Sequence, residues 1–267
     1  MEGYEFNVKE QTENCIAWIK DWFKNKGSDA KVILGISGGI DSTTTGKLCV
    51  EALGADKVIG LRLPCGEQKD IDDAKLACDE LGIKSYEINI GETYDMLTKQ
   101  MRAVVTNGKV FPPDAYSTNT PARIRMTTIY GVAAIIGNAY PANTCNLSET
   151  SQGYDTIFGD SAGSFAPIGH FTKTEVRAIA KYLGLPERLY NKTPIDGMSV
   201  NEDGSYKADE DKLGFTYEEL DSFLRIGTVG PNNEKIINGM KQSGWKRKLI
   251  NVEYYDPHLP FYASGLW

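Results

Sequence analysis

Lys31-Val-Ile-Leu-Gly-Ile-Ser-Gly-Gly-Ile-Asp-Ser42 is the stretch on which the fold turns. Its first half, Lys31 to Ile36, is a short apolar run rich in β-branched residues, the pattern of a buried strand. Its second half, Gly35-Ile-Ser-Gly-Gly-Ile-Asp-Ser42, is a turn of small residues, and a helix is predicted from about Asp41 to Leu53. Small residues let the backbone approach a ligand closely, and the free N–H groups at a helix start converge on an anion. Ser37 and Ser42 add hydroxyl donors, and Asp41 can hold a metal that bridges phosphates. The lysine of a Walker A loop is missing, and the glycine spacing is not that of a dinucleotide fold. A tight turn that uses glycine for geometry alone is the plain alternative.

Outward from this loop, Lys57-Val-Ile-Gly-Leu-Arg-Leu63 and Ser85-Tyr-Glu-Ile-Asn-Ile90 read as two further strands, separated by a helix over 67–82. Strand, helix, strand, helix, strand at this spacing predicts an α/β fold, a doubly wound parallel sheet flanked by helices. A helix over about 7–25 precedes it, with Val8, Cys15, Ile16, Trp18, Ile19, Trp22 and Phe23 at mostly helical spacing. Downstream, residues 91–107 and Asn119 to Ile136 are predicted helical, and Pro141 to Leu147 a fourth strand. The stretch 148–169, rich in Gly, Ser and Asp, reads as a functional loop. Thr172 to Leu183 is a helix that Thr172 can cap, with Glu175 completing a capping box. Residues 191–215 read as polar loop, and helices follow over Tyr217–Arg225 and Asn232–Ser243. The whole span 1–267 is read as one domain.

A chain of 267 residues, 41% hydrophobic and 24% charged, has an ordinary globular composition. Its formal charge of −7 lacks the basic field of a sequence-independent nucleic-acid binder. No stretch reaches the length of a membrane helix, and the first residues lack a signal-peptide layout, so the expected compartment is cytoplasmic. Cys15, Cys49, Cys65, Cys78 and Cys145 are scattered without a CxxC pair and read as reduced thiols. His170 and His258 fall in no motif and read as packed or solvated side chains.

The string Ser37-Gly-Gly-Ile-Asp-Ser42 after an apolar strand resembles the pyrophosphate loop of the N-type ATP pyrophosphatase superfamily, whose members cleave ATP between its α and β phosphates. Within it, the chain resembles the ammonia-dependent NAD synthetases. The resemblance rests on Leu61-Arg-Leu-Pro64, Asn119-Thr-Pro-Ala-Arg-Ile-Arg-Met126 and Asn143-Thr-Cys-Asn-Leu-Ser-Glu149. It continues through Phe158-Gly-Asp-Ser-Ala-Gly163, Phe171-Thr-Lys-Thr-Glu175, Asp209 to Tyr217 and Trp245-Lys-Arg247. The resemblance implies the adenine nucleotide alpha hydrolase-like fold and a two-step reaction. A carboxylate of deamido-NAD attacks the α-phosphate of ATP, and ammonia then converts the acyl-adenylate to the amide.

It also implies roles for individual residues. Gly35, Ile36, Ser37, Gly38, Gly39, Ile40, Asp41 and Ser42 would hold ATP, together with Leu61, Arg62, Thr144, Lys173 and Ile195. Asp41 and Glu149 would hold Mg²⁺; Ser37, Asp41, Ser42 and Lys173 would carry the chemistry. Arg123, Ile157, Ser164, Trp245 and Lys246 fall at positions that meet the acceptor. Four positions depart from the family pattern: Ile157 stands for a basic residue, Ser164 for an acid, Ile195 for a hydroxyl residue and Trp245 for a histidine. The family implies a homodimer, and the helix at 119–136, apolar on more than one face, suits an interface or a core. Another carboxylate acceptor and a non-catalytic nucleotide sensor are the competing readings. A tRNA-modifying relative would need basic patches or a cysteine pair, and the chain has neither.

Overall fold

The computed structural model describes residues 4–68, 70–102, 114–193, 195–200 and 206–267. The central sheet contains β1 (Lys31–Gly35), β2 (Val58–Arg62), β3 (Lys84–Glu87) and β4 (Ala139–Pro141). All pairings are parallel, in the order β3-β2-β1-β4. Val32 lies opposite Val58 and Leu34 opposite Gly60, while Lys31 lies opposite Ala139 on the other edge.

The sheet is buried on both faces, which is why β1 is apolar at successive positions. Val32 and Leu34 point to one side, into a core shared with Cys15 and Ile19 of α1 (Val8–Phe23) and Leu48 of α2 (Ile40–Leu53). Leu81 of α3 (Ile71–Leu81) joins the same core. Ile33 points to the other side and packs with Ile59, Leu61 and Ala133, the last from α5 (Asp114–Ile136). The helix α4 (Gly91–Met101) joins β3 toward α5. The predicted helices-on-both-faces architecture is therefore the one observed.

Chain order runs β1 to β2 to β3 in one direction, and β4 then pairs on the opposite side of β1. This reversal opens a crevice at the carboxyl ends of β1 and β4, where open α/β sheets bind ligands. The glycine-rich loop leaves β1 into that crevice. Gly38 is the residue that makes its path possible: its φ is +77°, and a Cβ there would lie 2.5 Å from the backbone nitrogen of Ala74. The loop and the start of α3 are thus packed backbone to backbone.

Several elements differ from the sequence expectation. The helix α5 starts at Asp114 and not at Asn119, and Pro121 lies inside it. Proline suits a first helical turn, so its position suggests a start that the chain does not use. The fourth strand is displaced to residues 139–141, because hydrogen bonding passes from β1 to Phe165 at residues 142–143. The segment 148–169 is not a plain loop. It contains most of α6 (Leu147–Gln152), capped by Asn146 with Glu149 in a full capping box, and β5 (Phe165–Ala166).

The helix α7 (Lys173–Tyr182) has the predicted Thr172–Glu175 capping box, and α8 (Glu187–Tyr190) follows it. Residues 191–215 hold a hairpin, β6 (Ile195–Val200) with β7 (Tyr206–Ala208), and α9 (Asp209–Leu213). Polar composition hid these short elements. Helices α10 (Tyr217–Ile226) and α11 (Asn233–Arg247) pack on Leu147 of α6 through Leu220, Leu224, Ile236 and Met240. β8 (Glu253–Tyr254) pairs with β5. Among the described residues no helix is long and apolar enough to cross a membrane.

The close approach at Gly38 gives a direct test. Gly38→Ala should destabilise the chain by about 1–2 kcal/mol from the left-handed backbone alone, with the clash against Ala74 added. Urea denaturation measures it, and an unchanged midpoint would show that the loop is not packed in this way.

Candidate active site

A cavity of about 340 Å³ sits at the carboxyl ends of β1 and β4. Gly35, Ile36, Ser37, Gly39, Ile40, Asp41 and Ser42 line one wall, and Leu61, Thr144, Glu149 and Lys173 contribute to the others. Gly38, with its Cβ position against α3, does not line it, nor does Arg62, which donates to Glu87 at 2.8 Å. Ile195 starts β6, and its side chain lies outside the described residues.

The loop is shaped by its own hydroxyls. Ser37 Oγ and Ser42 Oγ are 3.2 Å apart, the Gly39 N–H donates to Ser37 Oγ, and Thr43 Oγ1 donates to the Gly39 carbonyl at 2.7 Å. Gly39 is the N-cap of α2 and supplies no side-chain cap, so the first amides of that helix stay directed at the crevice.

Opposite the loop, three helix starts meet at one ammonium. Lys173 opens α7, is 2% exposed, and its Nζ lies 2.6 Å from Asp41 Oδ2 and 2.8 Å from Glu149 Oε1. Burial works against this charge, but Asp41 and Glu149 more than offset it and hold the lysine protonated. Burial also pushes the Glu149 carboxyl well up from the usual range, and Asp41 adds to that while Lys173 opposes it. Asn146 connects the two acids: its Nδ2 donates to Asp41 Oδ1 at 2.9 Å, and its backbone N–H donates to Glu149 Oε2. The Tyr217 ring lies 5.2 Å from Lys173 Nζ and is itself fully buried.

A second layer fixes the helix starts. Ser148 Oγ accepts from the Lys173 backbone N–H and donates to Asp221, whose other oxygen accepts from the Thr174 N–H. Burial raises the Asp221 carboxyl to about 6. Glu175 caps α7 and takes two guanidinium bonds from Arg225, at 2.7 and 2.6 Å, while Tyr4 donates to it as well. Both partners of this ion pair are almost fully buried.

The acceptor-side candidates are arranged differently. Arg123 is exposed and donates to the carbonyl of the buried Ile157; Arg125, two residues on, turns into the cavity and donates to the Leu63 carbonyl. The two arginines face different ways, as their spacing requires. Lys246 holds the carbonyls of Gly153 and Asp155, each at 2.6 Å, and Trp245 beside it is 58% exposed. Arg123, Ile157, Ser164, Trp245 and Lys246 lie outside the cavity wall.

Residues that the sequence reading left without a role also line the cavity. Asp160, its carboxyl raised by burial to about 6, accepts from the Thr156 N–H, and Lys192 bridges Asp70 and Asp73 at 2.7 and 2.8 Å. Asp160 and Lys192 lie in the stretches 148–169 and 191–215, which read as loops; nothing in their local pattern marks them as facing the cavity. His170 stacks on Tyr254, and His258 is exposed, so neither meets the site. Among the described residues no group of three or more metal-ligating side chains occurs.

Residues 11–254 match the NAD synthase family. The chain belongs to the NAD synthase family. The NH(3)-dependent NAD(+) synthetase of Carboxydothermus hydrogenoformans is 32% identical over 247 residues, covering 91% of this chain and 96% of that protein. An NMN synthetase from Francisella tularensis superposes with a TM-score of 0.81 at 31% identity, covering 92% of this chain and 98% of that one. An NH3-dependent NAD synthetase from Campylobacter jejuni, solved with nitrate, superposes at 0.70 with 30% identity, over 92% and 99%. The NAD synthase fold of those enzymes is the parallel, helix-flanked sheet seen here.

The pair behind the site is testable. Removing Glu175 leaves the Arg225 charge buried without its partner, so Glu175→Ala should cost about 3–5 kcal/mol in chemical denaturation. A loss below about 1 kcal/mol, the scale of an exposed pair, would mean that water reaches the guanidinium.

Proposed function

We propose that this chain amidates the nicotinate carboxylate of deamido-NAD with ammonia, using ATP and releasing AMP and pyrophosphate. One observation carries the reading: the glycine-rich loop, Thr144, Glu149 and Lys173 line a single cavity at the switch point of the sheet. A carboxylate is a poor electrophile, and transfer of AMP to it gives an acyl-adenylate with a good leaving group. Negative charge builds on the departing pyrophosphate, and the amides at the start of α2, the Ser37 and Ser42 hydroxyls and Lys173 stabilise it. Ammonia then attacks the acyl carbon, and no protein nucleophile is needed.

Asp41 and Glu149 are proposed to hold Mg²⁺. Two carboxylates are a fitting donor set, since this cation binds through one or two acids plus substrate phosphates. When bound, Mg²⁺ supplies charge neutralisation to the leaving group. Arg123 and Lys246 are proposed to serve the acceptor, with Ile157, Ser164 and Trp245 at its binding surface. Leu61, Arg62 and Ile195 are proposed to border the ATP. A single domain carries both half-reactions, a homodimer is proposed through α5, whose Ile135 is exposed, and the free cysteines suit the cytoplasm.

A second acceptor reading has its own support. The superposition on the enzyme named NMN synthetase is the better of the two, 0.81 against 0.70. Three of the departures from the family pattern, Ile157, Ser164 and Trp245, fall at acceptor positions. Nicotinate mononucleotide, which has the same reacting carboxylate and no adenylate half, is that second acceptor.

Four measurements test these readings. Products should be AMP and pyrophosphate; ADP and phosphate would overturn the assignment. Asp41→Asn and Glu149→Gln should each lower turnover by about a hundredfold or more. Side-by-side kcat/KM for deamido-NAD and nicotinate mononucleotide decides the acceptor. If deamido-NAD is used, Arg123→Ala should raise its KM about ten- to a hundred-and-fifty-fold while ATP binding is nearly unchanged.

A further inference from the structure

Every carboxylate oxygen of Asp41 and Glu149 already accepts a hydrogen bond from Asn146 or Lys173. Asp41 Oδ1 accepts from Asn146 Nδ2 and Oδ2 from Lys173 Nζ. Glu149 Oε2 accepts from the Asn146 N–H and Oε1 from Lys173 Nζ. One oxygen of each acid clasps the ammonium, so Lys173 Nζ occupies the place between the two carboxylates. A divalent cation bridging these acids through those two oxygens would meet the lysine nitrogen, which lies 2.6 and 2.8 Å from them. Two cations cannot share that position, because their repulsion in a buried site is severe.

We propose that the Lys173 ammonium and the divalent cation compete for one position between Asp41 and Glu149, so that the cation enters only when a polyphosphate gives the lysine another anion. This rests on the assignment of the cavity to ATP and a divalent cation, and not on the identity of the acceptor.

The physical case has three parts. A buried ammonium must keep an anionic partner, so it leaves two carboxylates only for another strong acceptor. The cavity offers a place for such an anion within reach, since the amides of the α2 start and Lys173 line the same space. A lysine stem is intrinsically flexible, and the Tyr217 ring 5.2 Å from Nζ offers the cation a face to rest on during the exchange. The exchange leaves no charge unpaired. Lys173 passes from carboxylate to phosphate as the cation passes onto the carboxylates. Bare carboxylates at this depth would bind a divalent ion from solution without substrate, and the lysine prevents it.

The test uses the full chain without nucleotide and Mn²⁺ as the probe, followed by loss of the free-ion electron paramagnetic resonance signal. The wild-type chain should leave the signal unchanged up to millimolar Mn²⁺. Lys173→Met, which removes the competing ammonium and keeps the apolar stem, should bind Mn²⁺ at least about tenfold more tightly, within the usual range of coupling between two ligands. Its thermal midpoint should then rise with Mn²⁺, and Lys173→Met combined with Asp41→Asn should lose both effects. Sub-millimolar Mn²⁺ binding by the nucleotide-free wild type would overturn the proposal, and that result does not depend on whether the variant folds. A folded Lys173→Met that binds no more tightly than wild type would overturn it too. Pyrophosphate release with a carboxylate panel is scored separately, so failure of the amidation reading is not mistaken for failure of the competition.

Discussion

Everything at the crevice is arranged around one buried ammonium. Lys173 stands at the first position of α7, where the positive end of the helix disfavours a cation. It is 2% exposed, so water does not compensate it. Only the two carboxylates hold it there, and they come from the first turns of α2 and α6. A single ion cluster thus ties three helix starts together at the end of the sheet. Negative charge is favoured at a helix N-terminus, so the two acids are as welcome there as the lysine is not.

That arrangement needs a rigid frame, because a buried charge held in poor geometry costs more than it returns. The frame is built from capping. Asn146 and Thr172 each cap a helix, and the glutamate at the third position of each box has a second duty. Glu149 reaches Lys173, while Glu175 reaches Arg225 on the far side of α7. Ser148 and Asp221 then pin the Lys173 and Thr174 amides from behind. The same short pattern, a polar cap followed by a glutamate, therefore yields one residue that faces the cavity and one that faces the core.

The two sides of the site are built to different standards. The loop side is fixed by backbone-to-backbone packing at Gly38 and by a continuous hydroxyl network. The proposed acceptor side includes the segment 153–160, held by Lys246 through two carbonyls and by Arg123 through a third. Phe158 within it has a φ of +59° and is 60% exposed, a conformation that only the surrounding contacts can impose on an aromatic residue.

The sequence by itself determined the strand–loop–helix unit at residues 31–53, the parallel sheet that follows from its repetition, and the Thr172–Glu175 cap. These are local patterns: Val32, Ile33 and Leu34 alternate between two cores because a strand has a period of two. The Asn146–Glu149 cap has the same spacing, yet the residues around it read as the end of a strand and the start of a loop. Only the tertiary structure decided that Lys173, 132 residues from Asp41, would be clasped by it and by Glu149, and that Arg125 and not Arg123 would turn into the cavity. Periodicity reports which face of an element is apolar. It carries no information about where the ends of separate helices meet, and a buried charge is placed by that meeting alone.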